Sequence, residues 1–256
     1  MDLSTVLGLG LGVGCVWYAM AAGDILGILW DKPSFILVAG GTIASTLMTF
    51  PLDVMKNVPR SLLLTFFPKK ITDAEKVIDR LCELAALVKA HGVDSLAENT
   101  ADDEKFLRTG VRMLLNEWDE DAIKENLEKE MEFTLERHQQ VQKAFAAAGG
   151  YGPVYGLLGT LVGILGVLRY LDSPKAMGAA MTVAIVTTFY GIFVANFIAL
   201  PTAGKLESYS NKELLGKQLM LIGLLSFKKE ENPETLRRKL ERHVAAKLRK
   251  EDKEQG

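Results

Sequence analysis

The chain has 256 residues, 48% hydrophobic and 24% charged, with a formal net charge of −2. That balance, with no basic cluster interleaved with aromatics, excludes a nucleic-acid-binding protein. Two cysteines in unlike surroundings, Cys15 in an apolar run and Cys82 in a charged one, exclude a disulfide framework and a cysteine metal site.

The average composition hides a segregation, because long uncharged stretches alternate with densely charged ones. Crossing about 30 Å of hydrocarbon at about 1.5 Å per residue takes roughly 20 mainly apolar residues. The first candidate runs from Leu3 to Gly23 and meets no charge until Asp24. It opens Met1-Asp2-Leu3-Ser4-Thr5, with an acid and no Lys or Arg, so it reads as a retained membrane helix and not a signal peptide. A second stretch, Pro33 to Phe50, is uncharged until Asp53.

The segment that follows reads as helical and water-facing. Thr72-Asp73-Ala74-Glu75 is a capping-box pattern, and apolar residues then recur at Val77, Leu81, Leu84 and Val88 with helical spacing. A second helix is predicted from Asp103 to Glu117. A third starts near Asp119, with Ile123, Leu127, Met131, Leu135, His138, Val141 and Phe145 on one stripe. No breaker follows that stripe, so the helix is expected to run on toward the membrane.

Two further uncharged stretches come next, Ala144 to Leu168 and Ala176 to Ala203. A charge at mid-bilayer costs about 2.5–3.5 kcal/mol, so four uncharged cores mark four transmembrane helices. After them the tail carries an amphipathic helix from Glu234 to about Lys250, opened by Asn232-Pro233. The fold expected is an all-α membrane protein with a helical cytoplasmic domain between the second and third spans and a cytoplasmic C-terminal helix. Its divisions are 1–51 (two spans and a short periplasmic loop), 52–143 (cytoplasmic), 144–203 (two spans) and 204–256 (cytoplasmic tail).

Orientation follows from the basic residues. Residues 52–150 carry 14 of the 30 Lys and Arg, and the tail after Pro201 carries 13. The two short loops hold only Lys32, Arg169 and Lys175. The positive-inside rule then puts both long segments and both termini in the cytoplasm.

No Asp, Glu, Lys, Arg or His lies inside any of the four cores. Ion-moving proteins ordinarily expose such a group at membrane depth, so a titrating carboxylate must come from a partner. The third span instead offers a small-residue face of Gly156, Gly159, Gly163 and Gly166, with Thr160 beside it. The fourth offers Ala180, Ala184, Thr187, Thr188, Gly191 and Ala195. Two readings stand: these residues only pack helices, each Thr bonding back to its own helix, or the hydroxyls of Thr160 and Thr188 face an ion and replace part of its hydration shell. Pro153 is either a first-turn proline of the third span or a hinge at its entry.

The stretch Pro153-Val154-Tyr155-Gly156-Leu157-Leu158-Gly159-Thr160-Leu161-Val162-Gly163, then Asp172-Ser173-Pro174-Lys175-Ala176-Met177-Gly178, then Thr187-Thr188-Phe189-Tyr190-Gly191, resembles the MotA/PomA stator proteins of the bacterial flagellar motor, within the MotA/TolQ/ExbB superfamily. Met1-Asp2-Leu3, Gly40-Gly41-Thr42-Ile43 and Glu136-Arg137-His138 extend the likeness over essentially the whole chain. The resemblance implies a homopentamer in the bacterial inner membrane around two copies of a MotB/PomB-type single-span B subunit, which supplies the ion-binding Asp. Ion flow, of Na⁺ or H⁺, would turn the ring and drive the rotor protein FliG.

By the same resemblance, Thr160, Thr187 and Thr188 line the ion path, Pro153 couples it to the cytoplasmic part, and Asp31 is an acid near the periplasmic side. Lys89 and Glu98 would face the rotor, with a departure: Ala97 stands at the usual acid position and Glu98 follows it. The resemblance implies no cofactor beyond the transported ion, which stays open between Na⁺ and H⁺, with the threonines leaning toward Na⁺.

Three other readings compete. An ExbB/TolQ-like energiser has three helices, and the apolar run 33–50 argues against it. A membrane enzyme or metal site needs clustered groups, whereas His91, His138 and His243 are scattered. A purely structural scaffold would tolerate loss of the Thr160 and Thr188 hydroxyls.

Overall fold

The computed structural model describes residues 3–67 and 73–254. Met1 and Asp2 of the N-terminal match and Thr72 of the capping box lie outside them. Among the described residues every regular element is helical. In chain order the main helices are α1 (Leu3–Ala22), α2 (32–49), α3 (Val58–Phe66), α4 (Ala74–His91), α5 (Lys105–Leu115), α6 (Glu120–Arg169), α7 (Pro174–Lys228) and α8 (Pro233–Glu254). The chain divides into two compact units: Met1–Lys69 with Arg137–Glu207, and Lys70–Glu136 with Ser208–Gly256.

In the first unit, α1 is apolar all round, and it leaves Leu7, Leu11, Trp17 and Tyr18 exposed. Such a surface suits hydrocarbon and not water. Helices α1, α6 and α7 each contain a stretch long and apolar enough to cross a membrane. The second expected stretch forms α2, about 27 Å long at about 1.5 Å per residue. It begins at Asp31, whose Oδ2 accepts from the Ser34 backbone N–H at 2.9 Å and also from the Ser34 hydroxyl, and Pro33 occupies its first turn. Its middle, Ile36–Gly40, is a π-turn, and a second π-turn spans Val194–Ala199 in α7. Each extra residue rotates the face that follows it.

Two tyrosines one turn apart tie α6 to α2. The Tyr155 and Tyr151 hydroxyls lie 2.8 Å from Ser45 Oγ and Thr49 Oγ1 respectively, while the Tyr155 ring lies against Gly41, where a side chain would collide with it. At the start of α2, Tyr190 of α7 donates to the Leu29 carbonyl and meets Phe35 edge-on at 6.1 Å.

The second unit is a water-type core. The expected stripe Val77, Leu81, Leu84 and Val88 of α4 is buried, together with Phe106 and Val111 of α5 and Ile123 and Leu127 of α6. Each such side chain contributes about 1.5–3 kcal/mol when fully enclosed. Leu219, Leu224 and Phe227 of α7 complete the core with Leu236 and Leu240 of α8, so helix α7 continues through a stretch, 204–228, for which the sequence predicted no particular element. Asn232 opens α8 by accepting from the Glu234 N–H at 3.2 Å.

This core contains one buried ammonium. Lys217 Nζ pairs with Glu213 at 3.1 Å, reaches Thr134 Oγ1 at 3.4 Å and lies 5.6 Å from the centre of the Phe106 ring. Without those partners its burial would be strongly destabilising. Glu104 nearby is exposed as a residue, but partial desolvation of its carboxyl raises it above its ordinary 4.5; Lys217 pulls it down, and Glu213 and Glu130 add to the rise.

Candidate functional site

Helices α6 and α7 run antiparallel along a seam made of missing side chains. A methyl placed on Gly156 would sit 2.9 Å from the Thr187 carbonyl oxygen. One on Gly163 would sit 2.6 Å from the Ala184 nitrogen, and one on Gly191 2.5 Å from the Gly152 carbonyl oxygen. Backbone meets backbone, and van der Waals packing at that range replaces the hydrophobic drive that is absent in lipid.

At the middle of the seam the hydroxyls of Thr160 and Thr188 lie 2.5 Å apart. Thr160 Oγ1 is also 3.1 Å from the Gly156 carbonyl oxygen and 3.2 Å from that of Ala184. Thr188 Oγ1 is 3.3 Å from Ala184 O and 3.4 Å from Gly156 O. Two hydroxyls and two carbonyls therefore form one cluster of oxygens. It holds only two protons; one joins the hydroxyls and the other goes to a carbonyl, which leaves several lone pairs unused. Both threonines are half-buried. A partly exposed knot of neutral acceptors in an uncharged wall is suited to a partly dehydrated cation or to the proton of a carboxylic acid brought by another helix.

Thr187 is placed apart from this pair. It is fully buried, its hydroxyl donates back to Val183 O at 2.8 Å or Ala184 O at 3.1 Å, and its side chain fills the gap over Gly159. The hydroxyl is spent within its own helix.

Pro153 lies deep inside α6, whose first turn begins at Glu120, so it is not a first-turn proline. It removes the bond that would reach the Gly149 carbonyl, and glycines at 149, 150 and 152 precede it. Asp31, the expected acid near the loop, is the N-cap of α2 described above. A cap of this kind contributes about 1 kcal/mol.

The two expected rotor-facing charges lie in the second unit. Lys89 is exposed in the last turn of α4, which ends at Gly92 with φ +80°, a value that glycine adopts without strain. Glu98 is exposed on the single turn Leu96–Asn99, whose Leu96 is fully buried. Arg80 of α4, which the sequence alone did not single out, pins this segment: it donates to the Asn99 carbonyl at 2.6 Å and to Asp103 Oδ2 at 3.0 Å. The Asp103 bond, with Glu83 adding to it, holds the guanidinium pKa above its ordinary value. Arginine before an acidic segment was the available signal, but nothing in the spacing marks a contact across 23 residues. Among the described residues no group of three or more potential metal ligands occurs.

Residues 98–219 match the MotA/TolQ/ExbB proton channel family. The chain is 34% identical to chemotaxis protein PomA of Vibrio alginolyticus, covering 92% of each. It is 31% identical to motility protein A of Treponema pallidum, covering 98% of this chain and 97% of that one. Among solved structures it is similar to the flagellar MotAB stator complex from Bacillus subtilis, with a TM-score of 0.84, 28% identity and 98% of each chain covered.

Proposed function

The chain belongs to the MotA/TolQ/ExbB proton channel family, and we propose that it is the A subunit of a flagellar-motor stator, forming with a MotB-type subunit the ion channel that drives motility. The observation that carries this reading is the Thr160–Thr188 oxygen cluster on a glycine seam in a wall free of charge. Chemistry of that kind serves passage of an ion and leaves the titrating acid to the B subunit. It is a transport subunit and not an enzyme.

The finer assignments complete the picture. Helices α1 and α2, the apolar part of α6 and that of α7 are read as four spans, with both termini in the cytoplasm and the protein in the inner membrane. The basic residues support this orientation, and Trp17, Tyr18, Trp30 and Tyr170, all exposed, suit an interfacial belt at the outer end. Copies of the chain assemble as a pentamer around the B subunits. Pro153 bends or flexes α6 as the ion passes, and Lys89 and Glu98 contact FliG. An ExbB/TolQ-like role is less well supported, because the relatives of the motility type align along nearly the whole chain.

The decisive experiment substitutes Thr160→Val and Thr188→Val together, which preserves shape and removes the hydroxyls. The double variant should still co-purify with the B subunit but should abolish swimming in cells lacking the native chain. Normal swimming would reduce the seam to packing. Swimming speed of the wild type against external Na⁺ at constant pH identifies the ion: a speed that rises with Na⁺ assigns sodium, and indifference assigns the proton.

A further inference from the structure

The four oxygens of the Thr160–Thr188 cluster belong to α6 and α7, yet both helices are fastened to a third element, α2. On the α6 side the fastening is Tyr155. It immediately precedes Gly156, whose carbonyl oxygen lies within 3.4 Å of both threonine hydroxyls. The Tyr155 ring occupies the notch at Gly41, and its hydroxyl lies 2.8 Å from Ser45 Oγ, one turn along the same face of α2. Tyr151 and Thr49 repeat the pair one turn on. Thr49 Oγ1 donates to the Ser45 carbonyl at 2.8 Å, so the bond between these two hydroxyls is donated by Tyr151. Two bonds in step along antiparallel helices fix both the rotation of α6 and its height against α2.

On the α7 side the fastening is Tyr190, two residues after Thr188. Its hydroxyl donates to the Leu29 carbonyl, just before α2, and its ring meets Phe35 in the first turn of α2. Within the cluster the hydroxyls meet the Gly156 and Ala184 carbonyls at 3.1–3.4 Å, long for bonds from a hydroxyl. A displacement of a few tenths of an ångström by either helix would therefore open it. We propose that Tyr155, seated at Gly41 and bonded to Ser45, is a positioning residue of the ion path. It supplies no oxygen to the cluster. It sets where the Gly156 carbonyl points, and so how tightly the four oxygens hold a passing ion.

The proposal rests on reading the cluster as part of an ion path. Its test removes one atom. Tyr155→Phe keeps the ring in its notch and loses only the hydroxyl, and Ser45→Ala breaks the same bond from α2. Each chain is produced with the B subunit in cells lacking the native chain. Swimming speed is recorded against external Na⁺ at constant pH and against pH at constant Na⁺. For the ion to which the wild type responds, each single variant should raise the half-saturating concentration about three-fold, while the speed at saturation falls less. The double variant should match the singles, because one bond is lost in all three. A merely structural role would reduce the number of working complexes, lowering the speed at saturation and leaving the midpoint in place. That result, or shifts that add in the double variant, would overturn the proposal. If Tyr155→Phe fails to assemble with the B subunit, Ser45→Ala decides alone. Failure of the wild type to restore swimming would remove the ion-path reading and the proposal together. Wild-type swimming with an unmoved midpoint in the variants would remove the proposal only.

Discussion

At Gly163 the nearest atoms of α7 include backbone, so no flexible side chain is there to yield to an added methyl. Gly163→Ala should therefore destabilise the membrane unit by about 1–3 kcal/mol, read as earlier thermal unfolding in detergent. Gly150→Ala, where nothing lies within 4 Å, is the control. It should be neutral, or gain up to about 1 kcal/mol from helix propensity. A titration prediction belongs at the same scale. The folded pKa of Glu104 is raised above 4.5, chiefly by partial desolvation of its carboxyl. Between 4.5 and that raised value the folded state binds more protons than the unfolded one, so this group makes the protein more stable as pH falls through the window. Glu104 is exposed as a residue, so its carboxylate is only partly desolvated, and Glu104→Gln removes that small cost. The variant should melt later than wild type at neutral pH, and the gap should close as pH approaches 4.5; a gap that stays constant would remove Glu104 from the account.

Among the elements, the segment that carries Glu98 has little core of its own beyond Leu96 and depends on Arg80. Arg80→Met should raise hydrogen–deuterium exchange from Asn99 to Asp103, leave α4 protected and impair motility. The stability loss should be only about 1 kcal/mol, because the guanidinium is partly exposed. Arg80→Lys should rescue little, since an ammonium cannot serve Asn99 and Asp103 in the same fork. The helices themselves were legible in the sequence wherever burial follows a simple period. The α4 stripe and the Ile123–Met131 stripe are buried as their spacing requires, and the predicted helix 103–117 forms as Lys105–Leu115. The glycine face of α6 was legible for the same reason. What stayed hidden has other causes. A π-turn leaves no composition signature, so neither Ile36–Gly40 nor Val194–Ala199 was anticipated. Thr187 and Thr188 are neighbours in sequence but about 100° apart on a helix, and only the packing of α6 decides which one meets Thr160. For Pro153 the sequence left two readings open, a first turn or a hinge at the entry of the span; the unbroken stripe from Ile123 to Phe145 pointed to a helix already under way, and the proline lies inside it.

For the whole molecule, the governing feature is the sorting of charge. The apolar runs of the first unit contain no Asp, Glu, Lys, Arg or His, while the second unit carries surface ion pairs such as Arg237–Asp79 and Lys229–Glu120 around its apolar core. Such a distribution lets one chain meet two solvents with one kind of element. It also has a consequence for the cell that makes it. With no Asp, Glu, Lys, Arg or His in those runs to relay protons, the polypeptide should be electrically silent until a companion supplies one. Overproduced by itself it should leave membrane potential and growth rate unchanged, whereas overproduction together with the acid-bearing companion should depolarise the cell. Potential-sensitive dye fluorescence distinguishes the two. Synthesis of the two subunits then needs no strict balance on this side: a surplus of the wall is harmless, and the danger of a leak is confined to whichever protein carries the acid.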